Sequence, residues 1–182
     1  MLFRSVTNGD VVLVMGAGPI GCLHVQVARA LGAKKVFLAD INPGRLKLSA
    51  EVVKPDAVID MSKEDVIKKS LELTEGIGPT VVITAAPSGQ AQEQAISLVA
   101  PGGRISFFGG LPKDKPFINC DSNLVHYKEL FLVGANGSSP KQNKIALEMI
   151  SSGKVEVKKL ITHKVPLAQV NKAKIGRARL NS

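Results

Sequence analysis

Apolar residues along the chain follow two alternating rhythms. Continuous apolar runs rich in β-branched residues mark strands buried on both faces. They occur at 10–15 (DVVLVM), 35–40 (KVFLAD), 57–60 (AVID), 80–86 (TVVITAA), 104–110 (RISFFGG) and 129–136 (ELFLVGAN). Between them, apolar positions recur at helical spacing over 19–32, 43–53, 62–75, 89–100 and 139–153. In the first of these helices Ile20, Leu23, Val27 and Leu31 share a face, and Gly32 stops it. The second opens on Asn42 as cap with Pro43 in the first turn. Ser62 and Asp65 suggest a capping-box-like start for the third.

Strands that alternate with helices pair in parallel through right-handed crossovers, so the expected fold is an α/β sheet covered on both faces. Six strands complete a doubly wound dinucleotide (Rossmann) fold with strand order 3-2-1-4-5-6. The segment 111–128 breaks the rhythm. It is expected to wander over the sheet edge, with Phe117-Ile118 as a short exposed strand. There is no internal repeat.

Composition narrows the class. At 182 residues with 45% hydrophobic content, the chain suits one domain with its own core. No apolar run approaches the roughly 20 residues of a membrane span. The N-terminal MLFRSVTNGD lacks a signal-peptide core, so a cytoplasmic protein is expected, with no membrane partner. Cys22 and Cys120 make neither a CxxC pair nor a four-thiolate zinc site. The net charge of +9 is concentrated partly in Lys172, Lys174, Arg177 and Arg179. Residues 174–182 read as a basic, solvated tail after a domain spanning 1–173. Aromatic content of 4%, without Trp, argues against a nucleic-acid partner.

The chemistry lies in Gly16-Ala17-Gly18-Pro19-Ile20-Gly21, a G-x-G-x-x-G that leaves a strand and opens a helix. Gly16 permits the tight turn, Gly18 lets backbone approach a pyrophosphate, and Gly21 lets the helix pack closely on the strand. The free N–H groups at the helix start would face the phosphates. Asp40 ends the second strand nineteen residues after Gly21. Its carboxylate can accept from both adenosine ribose hydroxyls and would repel a 2′-phosphate, favouring NAD over NADP. A loop or helix-capping role is its alternative. Arg45 could lie over the adenine or reach the ribose, which leaves room for NADP, or be a solvated helix residue.

The strand ends TAAPS (84–88), FFGGLP (107–112) and VGANG (133–137) should line the crevice of an open α/β sheet. Their small residues suit backbone contacts to a flat ring, and suit ordinary turns equally well. His24, His126 and His163 form no metal pair with an acid or Cys. His24 reads as packed or solvated, and Cys22 as a small packing residue. Tyr127-Lys128 are neighbours, not a Tyr-x-x-x-Lys on one helix face. No catalytic group and no metal ligand is assigned.

The ordered run GDVVLVMGAGPIG, LGAKKVFLADINPGRLKLS, DAVIDMSKED, LVAPGGRISFFGG and LITHKVPLAQVNKA resembles the medium-chain, zinc-dependent alcohol dehydrogenases. The polyol (sorbitol-like) and threonine dehydrogenase branch is the most similar. The resemblance covers about Asn8 to Ala173 and implies an oxidoreductase lineage, with this segment as the NAD-binding domain. It implies that Gly16, Gly18, Pro19, Ile20 and Gly21 hold the pyrophosphate, and that Asp40 binds the ribose with Arg45 beside it. Thr84, Ala85 and Ala86 would flank the ribose. Phe108, Gly109, Gly110, Ala135 and Asn136 would offer backbone to the nicotinamide. Family members dimerise through the edge of this domain.

The family's catalytic domain, with its Cys, His and acidic zinc ligands, has no counterpart here, and the chain ends KIGRARLNS where the family continues. The expectation is a truncated or divergent chain, inactive alone, with zinc held only by a separate catalytic domain. Two rivals stand beside it. One is a stand-alone nucleotide-binding or sensor module. The other is a methyltransferase using S-adenosylmethionine, a fold that also has a Gly-rich first loop and an acid after strand two.

Overall fold

A computed structural model describes residues 6–170, so the expected tail at 174–182 lies outside the described residues. Six parallel strands form one sheet: β1 (Val11–Met15), β2 (Lys35–Asp40), β3 (Ala57–Asp60), β4 (Val81–Thr84), β5 (Arg104–Phe107) and β6 (Phe131–Gly134). Their order is β3-β2-β1-β4-β5-β6, the expected doubly wound order. The helices are α1 (Pro19–Ala30), α2 (Pro43–Val53), α3 (Val66–Leu73), α4 (Gly89–Leu98), α5 (Ser122–Tyr127) and α6 (Pro140–Ser151). The strand order reverses between β1 and β4, which opens a crevice at their C-terminal ends.

The pleat sends alternate strand residues to opposite faces. Val12, Val14, Val36, Leu38, Val81 and Ile83 pack on one face with Val25 and Ala28 of α1 and Leu46 of α2. Leu13, Met15, Phe37, Val82 and Ile105 pack on the other with Val66 of α3 and Ala91, Ala95 and Leu98 of α4. Each fully buried aliphatic side chain removed from water contributes roughly 1.5–3 kcal/mol before ordering costs.

At the N-terminal ends of the strands a buried polar knot ties β1 to its neighbours. Asp10 accepts from the Thr7 N–H (2.7 Å) and from the Thr80 hydroxyl (2.8 Å), and pairs with Arg104. Burial pushes the Asp10 carboxyl up. The hydrogen bonds from Thr7 and Thr80 and the Arg104 charge more than offset this, so it titrates below the usual range.

Three local expectations are corrected. Phe117-Ile118 is not a strand. Pro112 and Pro116 remove donors nearby, and the Asn119 N–H goes to Glu93 Oε1 (2.9 Å) rather than to a ladder. Ile118 packs against the core while Phe117 is exposed. The Ser62/Asp65 capping box does not form, because the Ser62 hydroxyl turns back to Asp60. Asp65 itself caps α3, accepting from the Ile67 (2.8 Å) and Lys68 (3.1 Å) N–H groups, so that helix starts later than expected. The helix α5 was not expected. Asp121 caps it by accepting from the Asn123 and Leu124 N–H groups.

Candidate functional site

The loop between β1 and α1 is built from backbone fit. Gly16 has φ +117°, a conformation L side chains rarely adopt, and a Cβ there would lie 3.1 Å from the Ala85 backbone. A Cβ at Gly21 would collide with the Gly16 carbonyl oxygen, so only glycine lets α1 leave the strand at this angle. Gly18 differs: a Cβ there would meet nothing within 4 Å. The loop therefore faces open space at Gly18, at the head of a twelve-residue helix. The first-turn N–H groups of Ile20 and Gly21 lie there without intrahelical partners. That is the cradle a phosphate needs.

Asp40 is buried at 4% exposure, yet it belongs to this loop. Its Oδ2 accepts from the Ala17 N–H (2.7 Å) and its Oδ1 from the Asn42 N–H (2.8 Å). Arg45 approaches Oδ2 at 3.4 Å from the first turn of α2. A carboxylate has about four acceptor positions and three are taken, so one remains for a further donor. Of the two roles considered for Asp40, the loop-organising one is on view: it ties the end of β2 to the β1–α1 loop.

Two further clamps were missed in the sequence. The Ser49 hydroxyl on α2 donates to the Ala17 carbonyl (2.6 Å). Gln92 on α4, buried at 5% exposure, donates from Nε2 to the Gly109 carbonyl (3.1 Å). Neither residue type is unusual on a helix, so no local signal marks them.

Across the switch point, Thr84 is fully buried with its hydroxyl turned to the Ser106 carbonyl (3.3 Å). Ala85 and Ala86 follow it and are half-buried. The Gly109 N–H is held by the Thr84 carbonyl (2.7 Å), and a Cβ at Gly109 would press on the Ala86 backbone, so these two strand ends lie against each other. Gly110 is open, with nothing within 4 Å of a Cβ. Phe108, Ala135 and Asn136 line a groove of about 530 Å³, which runs between Leu23 and Val27 of α1 and Ala146 and Ile150 of α6. Thus the structure gathers the expected residues at the C-terminal ends of β1, β2, β4, β5 and β6.

His24 is fully buried against Phe108, ring centroids 4.4 Å apart and nearly perpendicular. Neither ring nitrogen has a hydrogen-bond partner. Burial pulls its pKa down to about 4, so the ring packs as a neutral aromatic. Cys22 is likewise a buried packing residue. Lys128 donates to the Ser97 (2.8 Å) and Val99 (3.0 Å) carbonyls at the end of α4, while Tyr127 is exposed. Among the described residues no three His, Cys, Asp or Glu side chains converge as metal ligands. No helix among them is long and apolar enough to cross a membrane.

Fold and loop together define a doubly wound domain of the dinucleotide-binding class. A family model described as zinc-binding dehydrogenase matches residues 19–152, and the chain belongs to that family. It is 35% identical over 158 residues to an L-threonine 3-dehydrogenase of Pyrococcus horikoshii, covering 86% of this chain and 44% of that protein. It is 31% identical over 170 residues to a sorbitol dehydrogenase of Halalkalibacterium halodurans, covering 93% and 49%. A short chain alcohol dehydrogenase from Escherichia coli CFT073, solved with the cofactor NADH, aligns with a TM-score of 0.83. It is 31% identical, over 96% of this chain and 50% of that one. The chain therefore spans about half the length of the relatives it matches. The part it spans is the dinucleotide-binding domain of zinc-dependent dehydrogenases, in keeping with the threonine and polyol motifs and not with a methyltransferase.

Proposed function

We propose that this domain binds a nicotinamide adenine dinucleotide, NAD(H) in preference to NADP(H), for a zinc-dependent alcohol, polyol or threonine-type dehydrogenase. The carrying observation is the hydrogen bond from the Ala17 N–H to Asp40. It makes the phosphate loop and the ribose-facing acid one unit at the switch point. A 2′-phosphate would sit against a buried carboxylate, which favours NAD(H). Arg45 does not reverse this, since its guanidinium is already drawn to that carboxylate. Gly16, Gly18, Pro19, Ile20 and Gly21 hold the diphosphate. Ala85 and Ala86, with Thr84 behind them, border the nicotinamide ribose. Phe108, Gly109, Gly110, Ala135 and Asn136 border the ring.

The bound nicotinamide would carry the hydride, while this domain binds and orients it and excludes water from one face. In this reading the metal ligands belong to a separate catalytic domain, since the chain spans about half the length of its zinc-dependent relatives. A second copy of the chain pairing along the exposed edge of β6 completes the reading.

Calorimetric titration with NADH and then NADPH, with zinc assayed on the same sample, tests it. NADH should bind, and more tightly than NADPH. Asp40→Ala should weaken NADH by about 1–3 kcal/mol, the loss of charge-assisted hydrogen bonds. Unchanged affinity in that variant would remove Asp40 from the site.

A further inference from the structure

We propose that Ser49 is a positioning residue that aims the Gly18 N–H at the diphosphate of a bound dinucleotide; this rests on the nucleotide-binding reading above. In a trans peptide the carbonyl and the N–H point to opposite sides of one plane. The Ala17 carbonyl is drawn toward α2 by the Ser49 hydroxyl at 2.6 Å. The N–H of the same peptide belongs to Gly18, so it must point away from α2. Among the described residues it has no acceptor in the protein. A Cβ at Gly18 would meet nothing within 4 Å, so a donor is presented to open space.

The preceding peptide is fixed as well, because the Ala17 N–H is bound by Asp40 at 2.7 Å. Ala17 thus has both polar backbone groups clamped, one by the end of β2 and the other by α2. The clamp matters at this peptide more than elsewhere. Gly18 adopts positive and negative φ almost equally well, so an Ala17–Gly18 peptide without Ser49 could rotate at little steric cost. Rotation would bury the N–H and turn a carbonyl oxygen, a partial negative charge, toward the phosphates. Ser49 reaches the loop from 32 residues away in sequence, which couples α2 to the phosphate site.

The test uses fragments that separate the phosphate contacts from the ribose contacts. Adenosine and ADP are titrated calorimetrically into the full chain as wild type, Ser49→Ala, Ser49→Cys and Ser49→Thr. The Gly18 amide is followed by ¹⁵N–¹H correlation spectra. Ser49→Ala and the near-isosteric Ser49→Cys should weaken ADP about tenfold, the scale of one misdirected hydrogen bond to a charged group. Adenosine affinity should stay within about twofold, since adenosine does not reach the loop donor. Ser49→Thr keeps the hydroxyl and should retain wild-type ADP affinity. In wild type the Gly18 amide should shift on adding ADP and not on adding adenosine.

ADP affinity unchanged in both Ser49→Ala and Ser49→Cys would overturn the proposal, as would equal loss of adenosine and ADP, which indicates a merely structural role. A wild-type chain that binds neither fragment would instead refute the nucleotide-binding reading, and this inference would fall with it. Melting curves recorded for each variant identify one that does not fold, and the remaining variants then decide.

Discussion

From Val6 to Ser106 the strands β1, β2 and β4 are sealed between two helical layers; beyond Ser106, Val155 is the one buried residue among those described. Strands β1 and β6 show the contrast at equal chemistry. VVLVM of β1 is buried on both faces, whereas FLVG of β6 is exposed throughout, with Phe131 at 62%. Helices differ in the same way. The face of α1 that meets the sheet is buried, while α6 buries no residue and leaves Leu147 in solvent. Both halves carry apolar stripes of similar strength, so pattern alone does not distinguish a core from a surface awaiting a partner. The first half holds the loop and Asp40; the second presents β6 and the groove beside α6.

That contrast can be broken most sharply at glycines. Gly21→Val should prevent stable folding, a loss beyond about 3 kcal/mol, because its side chain has only the Gly16 carbonyl to displace. Gly134→Ala in β6, where a Cβ meets nothing within 4 Å, should change stability by no more than about 0.5 kcal/mol. Urea unfolding of both variants checks the pair, and a well-folded Gly21→Val would mean the loop can relax.

Leucines give the next largest difference. Leu13→Ala should cost about 2–5 kcal/mol through lost burial and a residual cavity. Leu147→Ala, 67% exposed, should lie within about 0.5 kcal/mol. Comparable losses in the isolated chain would show that α6 is packed in solution.

His24 gives the packed half a pH dependence. Its pKa falls from 6.5 unfolded to about 4 folded, so between those values the unfolded chain binds more protons. Stability is therefore full above pH 6.5 and is lost as pH falls toward 4, by up to about 3 kcal/mol. His24→Leu should flatten unfolding free energy across that window. A slope as steep as wild type would assign the effect to other groups.

The smallest effect on stability belongs to the edge strand. Leu132→Lys should leave the monomer's unfolding nearly unchanged and shift a dimer toward monomer in light scattering, since a charged edge resists strand pairing. A wild type that is monomeric at high concentration would refute pairing along β6.

The sequence by itself determined the alternation of elements and the six strands, because hydrophobic period is a local property repeated along the chain; their order followed from the known doubly wound arrangement rather than from any local pattern. It also marked the Gly loop and Asp40 as candidates, because spacing and residue type there suit that chemistry directly. Only the tertiary structure decided how these groups are used. The Ala17 N–H meets Asp40 across 23 residues, Ser49 meets Ala17 across 32, and the Thr84 hydroxyl turns to Ser106 across 22. The packing of His24 on Phe108 is equally non-local. Phe117-Ile118 was misread for the same reason, since a strand exists only where a neighbour's ladder can receive it. Contacts between distant residues depend on the three-dimensional approach of whole elements, and no window of the sequence contains that.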